Sequence, residues 1–159
     1  MQTESDAVIL TAEGLNKIER ELDELRTIHR KRVADRIRDS KQFGELAENS
    51  EYEDAKTEQA FVEGRIEELK RILTQARVVE QDEIPTDRVG IGSIVKVLDL
   101  AFNDEWEFSI VGSIEANGED KISNESPVGE ALLGRRVGDT VEARTPGGSS
   151  RYQIVSIRK

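Results

Sequence analysis

The chain has no cysteine, one histidine, three prolines and one tryptophan in 159 residues. Without cysteine there is no disulfide, no thiolate metal site and no cysteine nucleophile. A single His29 also excludes a His-rich zinc site. Positive charge is in short supply: 23 Lys and Arg stand against 33 Asp and Glu, a formal net charge of -10. That balance excludes a free-standing duplex DNA binder, because phosphate binding depends on Lys and Arg displacing counterions. Long apolar runs are missing too. The N-terminal stretch MQTESDAVIL holds four apolar residues in a row, too few for a signal-peptide core or a membrane span. The expectation is a soluble cytoplasmic protein with no membrane partner, built as one domain or two small ones.

What the chain does have is helical periodicity in its first half. Leu15, Ile18, Leu22 and Leu25 alternate steps of three and four. The spacing then slips, and Ile28, Val33 and Ile37 continue the stripe, the pattern left by a four-residue insertion that locally unwinds a supercoil. Thr11 is placed to cap the run. A second stripe follows at Tyr52, Ala55, Gln59, Val62, Ile66, Leu69, Leu73 and Ala76. Two such stripes joined by a short turn bury each other as neither could alone, which predicts an antiparallel coiled-coil hairpin. At 1.5 Å per residue each arm is about 45 Å long.

Between the stripes lies QFGELAENSEYEDA, residues 42 to 55, with five carboxylates (Glu45, Glu48, Glu51, Glu53, Asp54) and no base until Lys56. Gly44 can end the first arm in a left-handed conformation, and Ser50 with Glu53 fits a capping box for the second, with Asn49 as a competing cap. Behind this acidic tip, residues 29 to 41 carry six bases (Arg30, Lys31, Arg32, Arg36, Arg38, Lys41) against Asp35 and Asp39. One reading is intramolecular, with Arg38 near Asp54 and Arg30 near Glu63 across the hairpin. The other is a basic patch that steadies a nucleic-acid strand.

Residues 80 to 88, EQDEIPTDR, break the heptads and read as a linker. Beyond them the signals are β-rich runs at Ser93–Asp99, Glu105–Val111, Asp139–Arg144 and Arg151–Ile157, with Asn103-Asp104 and Pro146-Gly147-Gly148 as turns. Val128–Leu133, after Ser126-Pro127 and before Gly134, reads as one short helix. Phe102, Trp106, Phe108 and Tyr152 are expected in the core. This half shows no nucleophile, metal cluster or phosphate loop. The expected organisation is a hairpin over residues 1–79 with its tip at 43–50, a linker at 80–88, and a small sheet domain over 89–159.

GELAENSEYEDAKTEQAFVEGRI (44–66) closely resembles the tip and second arm of the GreA-type bacterial transcript cleavage factors. SPVGEALLGRRVGDTVEARTPGG (126–148) resembles the same family's second signature, and the likeness runs in order from LTAEGLNKIERELDEL onward. The resemblance implies an α+β protein: an N-terminal antiparallel coiled-coil hairpin and a C-terminal FKBP-like antiparallel-sheet domain. It implies docking of the second domain on bacterial RNA polymerase at its secondary channel, with the hairpin reaching the active site. There the tip acids help hold a Mg2+ shared with the polymerase, which hydrolyses the 3′ end of backtracked nascent RNA. The chain is then no enzyme itself, binds no metal tightly alone, and is a monomer when free. By position, Glu45 and Glu48 match the tip acids as catalytic and metal residues, Lys41 and Lys56 match RNA-contacting bases, and Ser126 and Pro127 match the docking loop.

One position departs from the pattern. The first tip acid of the family is commonly Asp and here it is Glu45, whose extra methylene displaces the carboxylate by about 1.5 Å. Three alternatives stand beside the leading reading. A paralogous channel binder would inhibit polymerase without cleavage. An FKBP-like prolyl isomerase would need a proline pocket that no residue set here supplies. A plain coiled-coil adaptor would tolerate loss of all five tip acids.

Overall fold

A computed structural model describes residues 7–43 and 50–159, Phe43 by its backbone alone. The described residues form two compact units, one within 16–75 and one of 7–15 together with 76–159. The first is helical and the second is a sheet with one short helix, an α+β arrangement.

In the helical unit, α1 (Ala12–Glu24) runs through a π turn (Leu25–His29) into α2 (Arg30–Ser40), and α3 (Ser50–Gln75) returns. Ile18, Leu22, Leu25 and Val33 from the first arm are buried, as are Ala55, Val62, Ile66, Leu69 and Ile72 from the second. Cross-arm ion pairs run in opposite senses along the chain, Glu21–Arg65, then Arg30–Glu63, then Arg36–Glu58, so the arms are antiparallel. Two expectations are corrected here. Val33 lies eight positions after Leu25, one more than a heptad, and the Arg30 N–H reaches back to the Leu25 carbonyl; one π turn absorbs the extra residue. Ile28 therefore points away from the seam, 52% exposed. Ala76 belongs to a strand and not to the second stripe, and the last buried residue of α3 is Ile72 where the stripe placed Leu73.

The sheet unit begins before the first helix. β1 (Val8–Thr11) pairs in parallel with β2 (Ala76–Val79), from Val8 opposite Ala76 to Thr11 opposite Val79. The compact units thus divide at residues 15 and 75 and not at the expected 79. Nor is 80–88 a free tether: Ile84 is 6% exposed, and a short 3-10 turn (Gln81–Glu83) precedes it.

The main sheet has the order β5-β4-β3-β7-β6, from β3 (Ile94–Asp99), β4 (Asp104–Val111), β5 (Lys121–Ser123), β6 (Thr140–Thr145) and β7 (Gly148–Arg158). Every neighbouring pair is antiparallel except β4 with β5, so the sheet is mixed where an antiparallel one was expected. Alternation along β3 buries Val95, Val97 and Asp99. Val95 and Val97 join Val89, Ile110, Val141 and Ile154 beneath Leu132 of α4 (Pro127–Leu132). Phe108 and Tyr152 pack edge to face against this core, with ring centroids 6.3 Å apart. Phe102 and Trp106, expected inside, are 77% and 51% exposed, because they lie at the β3–β4 turn end of the sheet.

Candidate functional site

The acidic segment is approached from both sides by described residues. α2 ends in a 3-10 turn (Lys41–Phe43), and α3 starts at Ser50. Glu45 and Glu48, with Gly44 and Asn49, lie outside the described residues. Lys41 and Lys56, the two expected RNA-contacting bases, flank the segment and are exposed. Lys56 donates to Gln59 Oε1 at 3.0 Å, and neither lysine forms an ion pair with a described residue.

Other cations behind the segment are engaged inside the hairpin. Arg30 grips Glu63 with two hydrogen bonds of 2.9 and 2.8 Å, as the charge pattern led one to expect. These bonds, with the guanidinium charge, hold the Glu63 carboxyl below the usual carboxylate range. Arg36 donates to Glu58 at 2.6 Å and to Glu51 at 3.2 Å, so one of the five segment acids is tied back. Arg38 takes Asp35 and Asp39 on its own helix and not Asp54, because those partners are one turn or one residue away. Lys31 and Arg32 pair with no described residue, and Glu53 and Asp54 stay exposed.

The second candidate surface is the corner where β5 meets α4. Ser126 is the N-cap of α4: its Oγ accepts from the Gly129 N–H at 3.1 Å and donates to the Ser123 carbonyl at 2.7 Å. Gly129 must be glycine, since a Cβ there would sit 1.9 Å from that same carbonyl. Pro127 occupies the first helical position, where no N–H is needed, and is exposed. So Ser126 is engaged in the local fold, and Pro127 is the residue of the two presented outward. A shallow groove beside Pro127 is lined by Glu125, Glu130, Ala131, Glu142 and Arg144. Spacing in the sequence does not signal this grouping, because β6 reaches α4 only through packing on the sheet.

Among the described residues no group of three or more His, Asp or Glu is arranged to hold a metal. No helix among them is long and apolar enough to cross a membrane.

Two antiparallel helical arms on either side of an acidic, base-flanked segment, joined in one chain to a small mixed-sheet unit, define a two-part factor. Residues 84–159 match the family described as transcription elongation factor, GreA/GreB, C-terminal, and residues 8–78 match transcription elongation factor, N-terminal. The chain is 52% identical over 153 residues to transcription elongation factor GreA of Acetivibrio thermocellus, covering 96% of each chain. It is 51% identical over 156 residues to the GreA of Thermoanaerobacter pseudethanolicus, covering 98% of this chain and 99% of that one. Among solved structures it aligns with GreA factor homolog 1 of Thermus thermophilus at 31% identity and a TM-score of 0.44, covering 96% of this chain and 99% of that one. The chain belongs to the GreA/GreB family of transcription elongation factors.

Proposed function

We propose that this chain binds bacterial RNA polymerase through its secondary channel and stimulates Mg2+-dependent cleavage of backtracked nascent RNA, rescuing arrested complexes. The chain is not the nuclease; it lends carboxylates to the polymerase's own. The observation that carries this reading is the division of labour among charges on the hairpin. Arg30 and Arg36 serve cross-arm ion pairs, while Lys41 and Lys56, next to the segment with Glu45 and Glu48, keep their charge for a partner.

The donor set suits the metal. Mg2+ takes octahedral oxygen ligation and is commonly held by one or two carboxylates together with substrate phosphates and waters. Glu45 and Glu48 supply two carboxylates, and the remaining ligands belong to the polymerase and RNA. When bound, the ion activates water and stabilises charge on the scissile phosphate. Lys41 and Lys56 contribute attraction and orientation for the 3′ segment of the RNA, and Pro127 contributes to docking.

Arrested complexes of the cognate polymerase should release short 3′ RNA fragments on adding the protein with Mg2+. Glu45→Ala with Glu48→Ala should lower that rate on the order of a hundredfold or more while leaving polymerase binding intact. Cleavage by the double variant at the parental rate would remove the two acids from the mechanism. Slowed elongation without shortened transcripts would instead favour the inhibitory alternative.

A further inference from the structure

The apolar seam of the hairpin thins toward the acidic segment. Beyond Val33 on one arm and Val62 on the other, the buried residues among those described are Ser40 and Ala55, at 3% and 0% exposure. Burial stabilises in proportion to the apolar area removed from water, so two small side chains hold the arms less firmly than the Leu and Ile residues further back. Arg36 spans the arms in this stretch. Its Nη1 donates to Glu58 Oε2 at 2.6 Å, and its Nη2 donates to the Glu51 carboxylate oxygens at 3.2 and 3.4 Å. Glu51 and Glu58 lie seven positions apart, about two turns of α3, so one rigid fork grips that helix at two levels. The clamped stretches carry the two bases expected to meet RNA. Lys56 lies between Glu51 and Glu58, and Lys41 follows Arg36 by five positions on the other arm. All of these residues belong to the helical unit.

We infer that Arg36 is a positioning residue for RNA cleavage, locking the segment-side ends of the two arms in register and so setting Lys41 against Lys56. This rests on the cleavage reading above. Arg36 touches neither metal nor RNA; it acts through Glu51 and Glu58. The three side chains are 36%, 59% and 37% exposed, so the pairs contribute little to stability. Placement is the more sensitive quantity, because a displacement of about 1 Å costs on the order of a hundredfold in rate where geometry matters. An exposed clamp is open part of the time even in the parent, which limits the loss on removing it to about fivefold.

The chain has no cysteine, so Gln42→Cys with Thr57→Cys puts one spin label on each arm, at exposed positions beside the two lysines. The distribution of distances between the labels in the free full chain should be narrow, and Arg36→Ala should broaden it. With arrested polymerase, the half-saturating protein concentration and the maximal cleavage rate are measured separately. Arg36→Ala should leave the first within about twofold and lower the second about fivefold. Arg36→Lys, which keeps the charge without the fork, should lose most of the same rate. Glu58→Gln, which leaves Arg36 in place, should lower it too, and adding Glu58→Gln to Arg36→Ala should cost little further. A distribution in Arg36→Ala as narrow as the parent's, or a parental maximal rate in that variant, overturns the inference. So does full rate in Arg36→Lys with Glu58→Gln unimpaired, which would make Arg36 a charge that meets RNA directly. A parent chain that fails to stimulate cleavage overturns the functional reading itself, while the label distances still judge the clamp.

Discussion

Ser126 shows how a residue with an expected outward role can be occupied by the fold. Its hydroxyl both caps α4 and bonds the Ser123 carbonyl, whereas Pro127 beside it is exposed. Replacing an N-cap serine by alanine costs about 1 kcal/mol. Ser126→Ala is therefore expected to lower the denaturation midpoint of the sheet unit, read by Trp106 fluorescence, and to weaken polymerase binding through that loss. Pro127→Ala should weaken binding with the midpoint little changed. Equal stability losses in both would show that the two residues share one structural role. Serine before proline signals such a cap in the sequence, but the second bond, to Ser123, appears only once β5 is placed.

At the scale of elements, the hairpin is held by a buried apolar seam bordered by ion pairs. Those pairs are exposed, so each contributes little, yet they have a direction in pH. Arg30 depresses the Glu63 carboxyl, so the contribution is present above the ordinary carboxylate value and is lost as pH falls through the lower, folded-state value. Asp120, held down by hydrogen bonding from Asn117 and its own backbone, acts in the same sense in the sheet unit. Helix content followed from neutral pH down to about pH 2 should show the hairpin weakening in acid, and Glu63→Gln should flatten that dependence. An identical acid profile in the variant would remove this pair from the account. The seam was legible because its residues recur at short, regular intervals. The step of eight from Leu25 to Val33 was legible as an irregularity, but a loosened supercoil and a π turn leave the same trace in sequence. Packing against the unbroken α3, which keeps Val33 at 2% exposure, selects the turn.

Among the described residues of the whole molecule there is one core between helices around Ile66 and Leu69 and another within the sheet around Val97 and Ile154. Trp106, the sole tryptophan, lies in the sheet unit, so its fluorescence reports that unit, while helical circular dichroism reports chiefly the hairpin. Ile66→Ala should cost about 2–5 kcal/mol in the helical transition, with the Trp106 transition little moved. Ile154→Ala should do the reverse. Coincident shifts of both signals in either variant would mean that the cores unfold as one.

Sequence alone determined whatever depends on near neighbours: two helical stripes with an acidic segment between them, a capped short helix, and four of the seven described strands. Tertiary structure decided what depends on distant partners. β1 and β2 carry too few residues to declare themselves, and Ala76 continues a helical rhythm until Val8 is brought beside it. The parallel seat of β5, the exposure of Phe102 and Trp106, and the grip of Glu115 on Thr11 likewise follow from where the chain returns. Periodicity and capping are written over a few residues, whereas a hydrogen bond spanning 104 positions exists only after the intervening chain has folded.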